Sequence, residues 1–286
     1  MKLSEINIRD PFVLKHDGLY YLYGTRTVYH KPADSRREYG FDVYVSSDLR
    51  EWSGPKSLLD YYDDFFGKEL FWAPEVHRYN GKFYMLATFC DRDGEMGTAI
   101  LASDTPDGKF APHSEGIVTP RGCKCLDGTL YIEGGVPYMV YCHEWTQIGS
   151  GTVCAIELSR DLTHTVGEAK VLFSAGDASW KYDLRGNGSF VTDGPYLMKR
   201  DGELICIWSS FTSGKRYCEA ISRSSNGSLF GEWSIDDELI FEDDGGHGMV
   251  FSDYGGQEYF VYHSPNTATL ERPCLKPISR DSLFGG

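Results

Sequence analysis

The chain has 286 residues, 41% hydrophobic, 14% aromatic and 24% charged, with 32 glycines and a formal net charge of −14. The composition is that of a globular protein, and the acidity excludes a nucleic-acid partner, which would need basic surface for the phosphates. No run of about 18 apolar residues occurs and Met1-Lys2-Leu3-Ser4-Glu5-Ile6 has no apolar stretch of the signal-peptide kind, so a cytoplasmic protein without a membrane partner is expected.

In chain order, the first predicted unit opens with a strand through Ile8-Arg9-Asp10-Pro11-Phe12. It turns at Asp17-Gly18 and returns through Leu19-Tyr20-Tyr21-Leu22-Tyr23-Gly24-Thr25. A two-residue Asp-Gly or Asn-Gly turn before aromatic and aliphatic residues marks a tight hairpin, because both central residues need positive φ. A polar insertion at residues 27–40, carrying Arg36 and Arg37, follows, long enough to cover one end of a channel. The unit closes with the polar turn Ser46-Ser47-Asp48-Leu49 and Trp52.

The second unit runs from Phe71-Trp72-Ala73-Pro74-Glu75 through Asn80-Gly81 and Lys82-Phe83-Tyr84-Met85-Leu86-Ala87-Thr88 to Ser103-Asp104-Thr105-Pro106 and Phe110. The third contains Cys125-Leu126-Asp127-Gly128, the turn Gly134-Gly135, a strand through Tyr138 and Cys142, then His143-Glu144-Trp145 and Ser159-Arg160-Asp161-Leu162. The fourth contains Thr192-Asp193-Gly194-Pro195-Tyr196, Asp201-Gly202, Ser222-Arg223-Ser224-Ser225 and Trp233. The fifth has Gly246-His247-Gly248, Gly255-Gly256 and Tyr259-Phe260-Val261-Tyr262-His263, after which no polar turn appears, so the sequence does not say how the ring closes.

Turn glycines recur at intervals of 54–67 residues. Hairpin, strand and closing aromatic at that spacing describe the blades of a propeller, whereas a β-sandwich has no such long period. The expected fold is all-β, a five-bladed β-propeller forming one domain over residues 1–286. The eight cysteines are scattered, and Cys123-x-Cys125 lacks a second pair for a structural zinc, so they read as reduced core thiols.

The first strand of each blade lines a propeller's axis. Eight or nine residues before the turn glycines stand Asp10, Asp127, Asp193 and His247, with Trp72 and Ala73 in the second unit. A lone Asp-Pro or Asp-Gly is usually a turn residue. Three carboxylates converging from three blades are costly through mutual repulsion, and such strain is retained for chemistry. Two carboxyl groups flanking a sugar are what glycoside hydrolysis needs, and a third keeps the acid protonated by repulsion.

At these residues the sequence resembles glycoside hydrolase family 43. The likeness is carried by Arg9-Asp10-Pro11, Phe71-Trp72-Ala73-Pro74-Glu75-Val76, Leu126-Asp127-Gly128, Asp193-Gly194-Pro195 and Gly246-His247-Gly248. It implies a glycosidase that inverts the anomeric centre and removes terminal α-L-arabinofuranosyl or β-D-xylosyl units from small oligosaccharides. Asp10 is then the general base, Asp127 the residue that tunes and orients the acid, and Asp193 the general acid. The resemblance requires no cofactor but implies that the axial histidine, here His247, meets a calcium or sodium ion through water. Where the family carries glutamate as the acid, this chain has Asp193, one methylene and about 1.5 Å shorter. Glu144 is the alternative proton donor.

Trp72 is expected to stack on a sugar face, with His143, Glu144 and Trp145 as further substrate-binding residues, and Glu75 is expected to pair with Arg9. A non-catalytic carbohydrate-binding propeller and a glycosidase for another sugar, such as galactofuranose, are the alternatives. A phosphorylase would need a basic cluster phased with Asp10 and Asp193, which the sequence lacks. Oligomeric state is not legible.

Overall fold

The computed structural model describes residues 1–27 and 38–279. Within them lie five antiparallel sheets, each a meander in chain order. The first holds β1 (Ile8–His16), β2 (Leu19–Arg26), β3 (Gly40–Ser46) and β4 (Ser53–Asp60), and the second β5 (Gly67–Tyr79), β6 (Lys82–Asp91), β7 (Met96–Ser103) and β8 (Ala111–Ile117). The third holds β9 (Cys125–Glu133), β10 (Val136–His143), β11 (Thr152–Leu158) and β12 (Thr165–Ser174), and the fourth β13 (Asp193–Arg200), β14 (Glu203–Thr212), β15 (Arg216–Ser224) and β16 (Trp233–Ile235). The fifth has three strands, β17 (Gly246–Ser252), β18 (Glu258–Ser264) and β19 (Arg272–Ile278). The sheets are the blades of a five-bladed propeller, with β1, β5, β9, β13 and β17 meeting around the axis.

Packing between blades explains the strand composition. Second strands are sandwiched between neighbouring sheets and are apolar on both faces, as in β6 and β14. Fourth strands sit at the rim, and β4 and β12 are mostly exposed. The core accordingly lies in the seams: one large cluster joins blades one and two through Tyr23, Phe41, Phe65 and Phe89 and takes in Met249 and Phe251 of blade five, and another joins three and four around Trp208. Each fully buried aromatic contributes roughly 2–3 kcal/mol of apolar burial. All eight cysteines are free thiols; five are buried as core residues, while Cys90, Cys123 and Cys274 are half-buried.

The hairpin turns follow from their residues. Both central residues have positive φ in Asp17-Gly18, Asn80-Gly81, Gly134-Gly135 and Asp201-Gly202. That twist suits the flanking strands. The fifth turn is longer and closes through Asp253 N–H to Gln257 O at 2.8 Å.

Every first strand carries a β-bulge at the same place, two residues facing one on the second strand. The pairs are Asp10-Pro11, Ala73-Pro74, Asp127-Gly128, Gly194-Pro195 and His247-Gly248. The first member of each has φ between 46 and 54°. This conformation aims its N–H at the preceding blade. There the acceptor is the second-strand residue seven places after the turn glycine. Thr25 Oγ1 accepts from Ala73 N at 2.7 Å, Thr88 Oγ1 from Asp127 N at 2.9 Å, Ser209 Oγ from His247 N at 2.6 Å and His263 Nδ1 from Asp10 N at 3.2 Å.

These bonds stitch four of the five blade junctions, and the last one closes the ring. Closure is reinforced by Asn7 Nδ2 donating to Glu271 O at 2.8 Å and Arg272 Nε to Ser4 O at 3.0 Å. Blade one thus joins blade five through side chains, and no N-terminal strand enters the fifth sheet among the described residues.

Candidate active site

The bulges gather the site. A cavity of about 230 Å³ at the axis is lined by Arg9, Asp10, Trp72, Leu126, Asp127, Asp193, Tyr217 and His247. It is a small pocket, with room for about one sugar unit rather than a long chain. Asp10, Asp127 and His247 occupy the positive-φ bulge position, while Asp193 stands one residue earlier, level with Arg9 and Trp72. The sequence had put all three aspartates in one phase; in blade four the bulge position belongs to Gly194. A Cβ there would come within 2.7 Å of the His247 ring, and its φ is 52°, so only glycine fits.

Asp10 is buried and held at both oxygens. Oδ2 accepts from Thr25 Oγ1 at 2.7 Å, and Oδ1 accepts from Arg9 Nε at 3.0 Å and faces His247 Nδ1 at 3.2 Å. Burial opposes its ionisation, but the Arg9 and His247 charges outweigh it and hold the carboxyl well below the usual range. Burial likewise disfavours the charged form of His247, yet Asp10 and Asp127 raise it to about 10, so it is an imidazolium at neutral pH. His263 is the opposite case: burial, then the Arg9 charge, lowers it to about 3, leaving the neutral ring whose Nδ1 can accept the Asp10 amide.

Asp127 and Asp193 are both raised above the usual carboxylate range. Burial raises Asp127 to about 6, Asp10 adding to it while His247 and the Gly194 N–H oppose. Cys142 stands where the other blades carry Thr, Ser or His, and Gly194 N instead donates to Asp127 Oδ2 at 2.9 Å. Burial and the neighbouring Asp127 and Glu144 push Asp193 up to about 8, and Tyr217 and His247 temper the rise. The cavity therefore holds an ionised Asp10 beside a protonated Asp193 at neutral pH.

Of the expected sugar contacts, Trp72 lines the cavity, half-buried. His143, Glu144 and Trp145 lie at the same end of blade three but outside that lining. His143 Nε2 sits 2.8 Å from Gln147 Oε1. Glu144 is buried, its carboxylate accepting from Thr146 Oγ1. The Trp145 ring lies under the Arg185 guanidinium at 4.4 Å. Arg185 belongs to the loop leading into Asp193, which Asp183 pins by accepting from the backbone N–H of Gly186, Gly188 and Ser189 at 2.6–3.0 Å. Glu75 faces His77 Nε2 at 3.0 Å, whereas Arg9 turns to Asp10 and to Glu271 at 3.9 Å. Arg36 and Arg37 lie outside the described residues.

A directly held cation does not fit these residues. Calcium takes 6–8 oxygen ligands, and no three His, Cys, Asp or Glu side chains among the described residues are arranged around a metal. His247 Nδ1 is turned to Asp10 and Asp127, and the Glu219 Oε2 behind it is one isolated buried oxygen. The sequence also passed over Tyr217, which reaches Asp193 across 24 residues, and the acceptors Thr25, Thr88, Ser209 and His263. The acceptors did have a signal: each stands seven residues after its turn glycine.

The family model described as Glycosyl hydrolases family 43 matches residues 3–281. A crystal structure of an endo-arabinase from Bacteroides thetaiotaomicron VPI-5482 is 36% identical and superposes with a TM-score of 0.89, covering 99% of each chain. An extracellular exo-alpha-(1->5)-L-arabinofuranosidase of Streptomyces chartreusis is 23% identical over 89% of this chain and 79% of its own. An alpha-L-arabinofuranosidase B of Pyricularia oryzae is 23% identical over 89% of this chain, which spans about half (54%) of that relative.

Proposed function

Because the chain belongs to glycosyl hydrolase family 43, we propose that it is an inverting glycosidase that removes terminal pentose units, α-L-arabinofuranosyl or β-D-xylosyl, from short oligosaccharides. The observation that carries this reading is the pairing, in one axial cavity, of a carboxylate held ionised and a carboxyl held protonated. Hydrolysis with inversion needs that division of labour. Asp10 takes a proton from water as its oxygen attacks the anomeric carbon. The glycosidic C–O bond breaks, and the departing oxygen takes the proton of Asp193. Asp10 ends protonated and Asp193 ionised, and exchange with solvent resets both. Asp127 keeps Asp193 protonated by repulsion, and Trp72 offers an apolar face to the sugar ring.

The test is a screen of p-nitrophenyl α-L-arabinofuranoside, β-D-xylopyranoside and β-D-galactofuranoside, with the product anomer read by proton NMR. Turnover of a pentoside with inversion supports the proposal; no turnover of any of them, or retention, defeats it. The likeness to the Bacteroides endo-arabinase favours a second reading, cleavage within an arabinan chain. A rapid viscosity drop in an arabinan solution would select it over removal of end units.

A further inference from the structure

Asp193 is one methylene shorter than the acid its family carries, and a short, half-buried carboxyl needs support to present its proton in one direction. Tyr217, on β15, donates its hydroxyl to Asp193 Oδ2 at 2.9 Å. The ring is fully buried and held on three sides. It stacks on His263 with centroids 5.7 Å apart, leans on Phe211 at 5.1 Å, and lies over Gly246, where a Cβ would come within 2.6 Å of it. The glycine opening β17 therefore makes the space through which Tyr217 reaches the axis.

We infer that Tyr217 is a positioning residue for the reaction: its hydroxyl holds Asp193 in one rotamer and occupies Oδ2, leaving the transferable proton on Oδ1. A phenol has a single hydrogen, and here it is directed at one carboxyl oxygen. Burial, then the Asp193 charge, drives the phenol well above its usual 10, so it stays a donor throughout the enzyme's working range. The groups that act on Asp193 are Asp127 from β9, Glu144 from the end of β10, His247 from β17 and Tyr217 itself. Among them Tyr217 is the one hydrogen-bonded to the acid's own carboxyl.

This inference rests on the glycosidase reading, and two readouts separate them. In Tyr217→Phe, kcat/KM on an oligosaccharide should fall about 10–100-fold. It should fall far less on an aryl glycoside whose leaving group needs little protonation. Losing a neutral donor to the ionised form should also move the alkaline limb of the pH profile up by about half to one unit. Carboxyl ¹³C titration of Asp193 should show the same upward shift without any substrate. Placing 3-fluorotyrosine at position 217, a shape-preserving and more acidic phenol, should shift it downward, which keeps the test usable if the phenylalanine variant folds poorly. Equal losses on both substrates with an unmoved Asp193 titration would overturn the inference. An enzyme inactive on all pentosides, with the NMR shifts as expected, would fail the hydrolase reading and leave the Tyr217–Asp193 linkage standing.

Discussion

Keeping Asp193 protonated in the native cavity has a thermodynamic consequence that Asp193→Asn should expose. The carboxyl ionises near 3.8 as an ordinary aspartate and near 8 in the folded protein, raised first by burial and then by Asp127. Between those values the native state binds more protons than the unfolded chain, so this group makes stability fall as pH rises through the window. At about 1.4 kcal/mol per pH unit the ceiling is roughly 6 kcal/mol by pH 8. Asp193 keeps some solvent contact and shares its proton balance with Asp127, which reduces the realised effect to about 2 kcal/mol. Asparagine has nearly the same shape, still accepts from Tyr217, and carries no charge to desolvate. The variant should match the wild type near pH 4 and exceed it increasingly toward pH 8, by about 4–8 °C in Tm. Thermal unfolding of both proteins at pH 4, 6 and 8 reads this directly. A constant Tm difference across that range, or a less stable variant at pH 8, would refute the account of Asp193 as a strained, protonated acid.

The same variant should lose cleavage of oligosaccharides by about 10²–10⁴-fold while keeping much of its activity on aryl glycosides with acidic leaving groups. If Glu144→Gln shows that split instead, the proton donor is Glu144. Asp10→Asn should disable both substrate types to a similar degree, because water must be activated whatever leaves; steady-state kinetics on the pair decides it. Asp127→Asn removes a negative neighbour of Asp193, so the alkaline limb of the kcat/KM profile should move down by about one unit or more. Thr88→Val leaves the buried Asp127 N–H without its acceptor and should cost about 1–3 kcal/mol, a Tm loss of roughly 2–12 °C by calorimetry.

Blade number and blade boundaries were legible because they are local. Asp-Gly and Asn-Gly pairs demand positive φ wherever they stand, and the strands after them are apolar on both faces because they lie between sheets. Asp10 and Asp127 could be placed at the axis by counting from those turns. Asp193 came within one residue of its true phase. That last residue was not in the pattern, since a bulge is defined by which residue of the facing strand it opposes, and in blade four the facing strand gives the positive φ to Gly194. The single phased column of acids is therefore two columns, one at the bulge and one just before it.

Tertiary structure alone decided the rest. Three blades place Thr or Ser, and the fifth His263, at the stitching position, so the ring's hydrogen bonds share a place rather than a residue type. Tyr217 sits on a third strand, whose sequence says only that its side chain is buried, and it reaches Asp193 because Gly246 in the next blade leaves room. Proximity to the axis alone pairs Glu75 with Arg9, but His77 faces the first, and Asp10 and Glu271 the second. Which carboxyl is ionised followed the same logic: Asp10, Asp127 and Asp193 are chemically identical in sequence. They differ because two cations face the first, while the last is flanked by acids. Turns and strand periodicity are set by each residue's own backbone preferences, so the sequence by itself determines them; charge states and hydrogen-bond partners depend on neighbours that the closed ring brings from other blades.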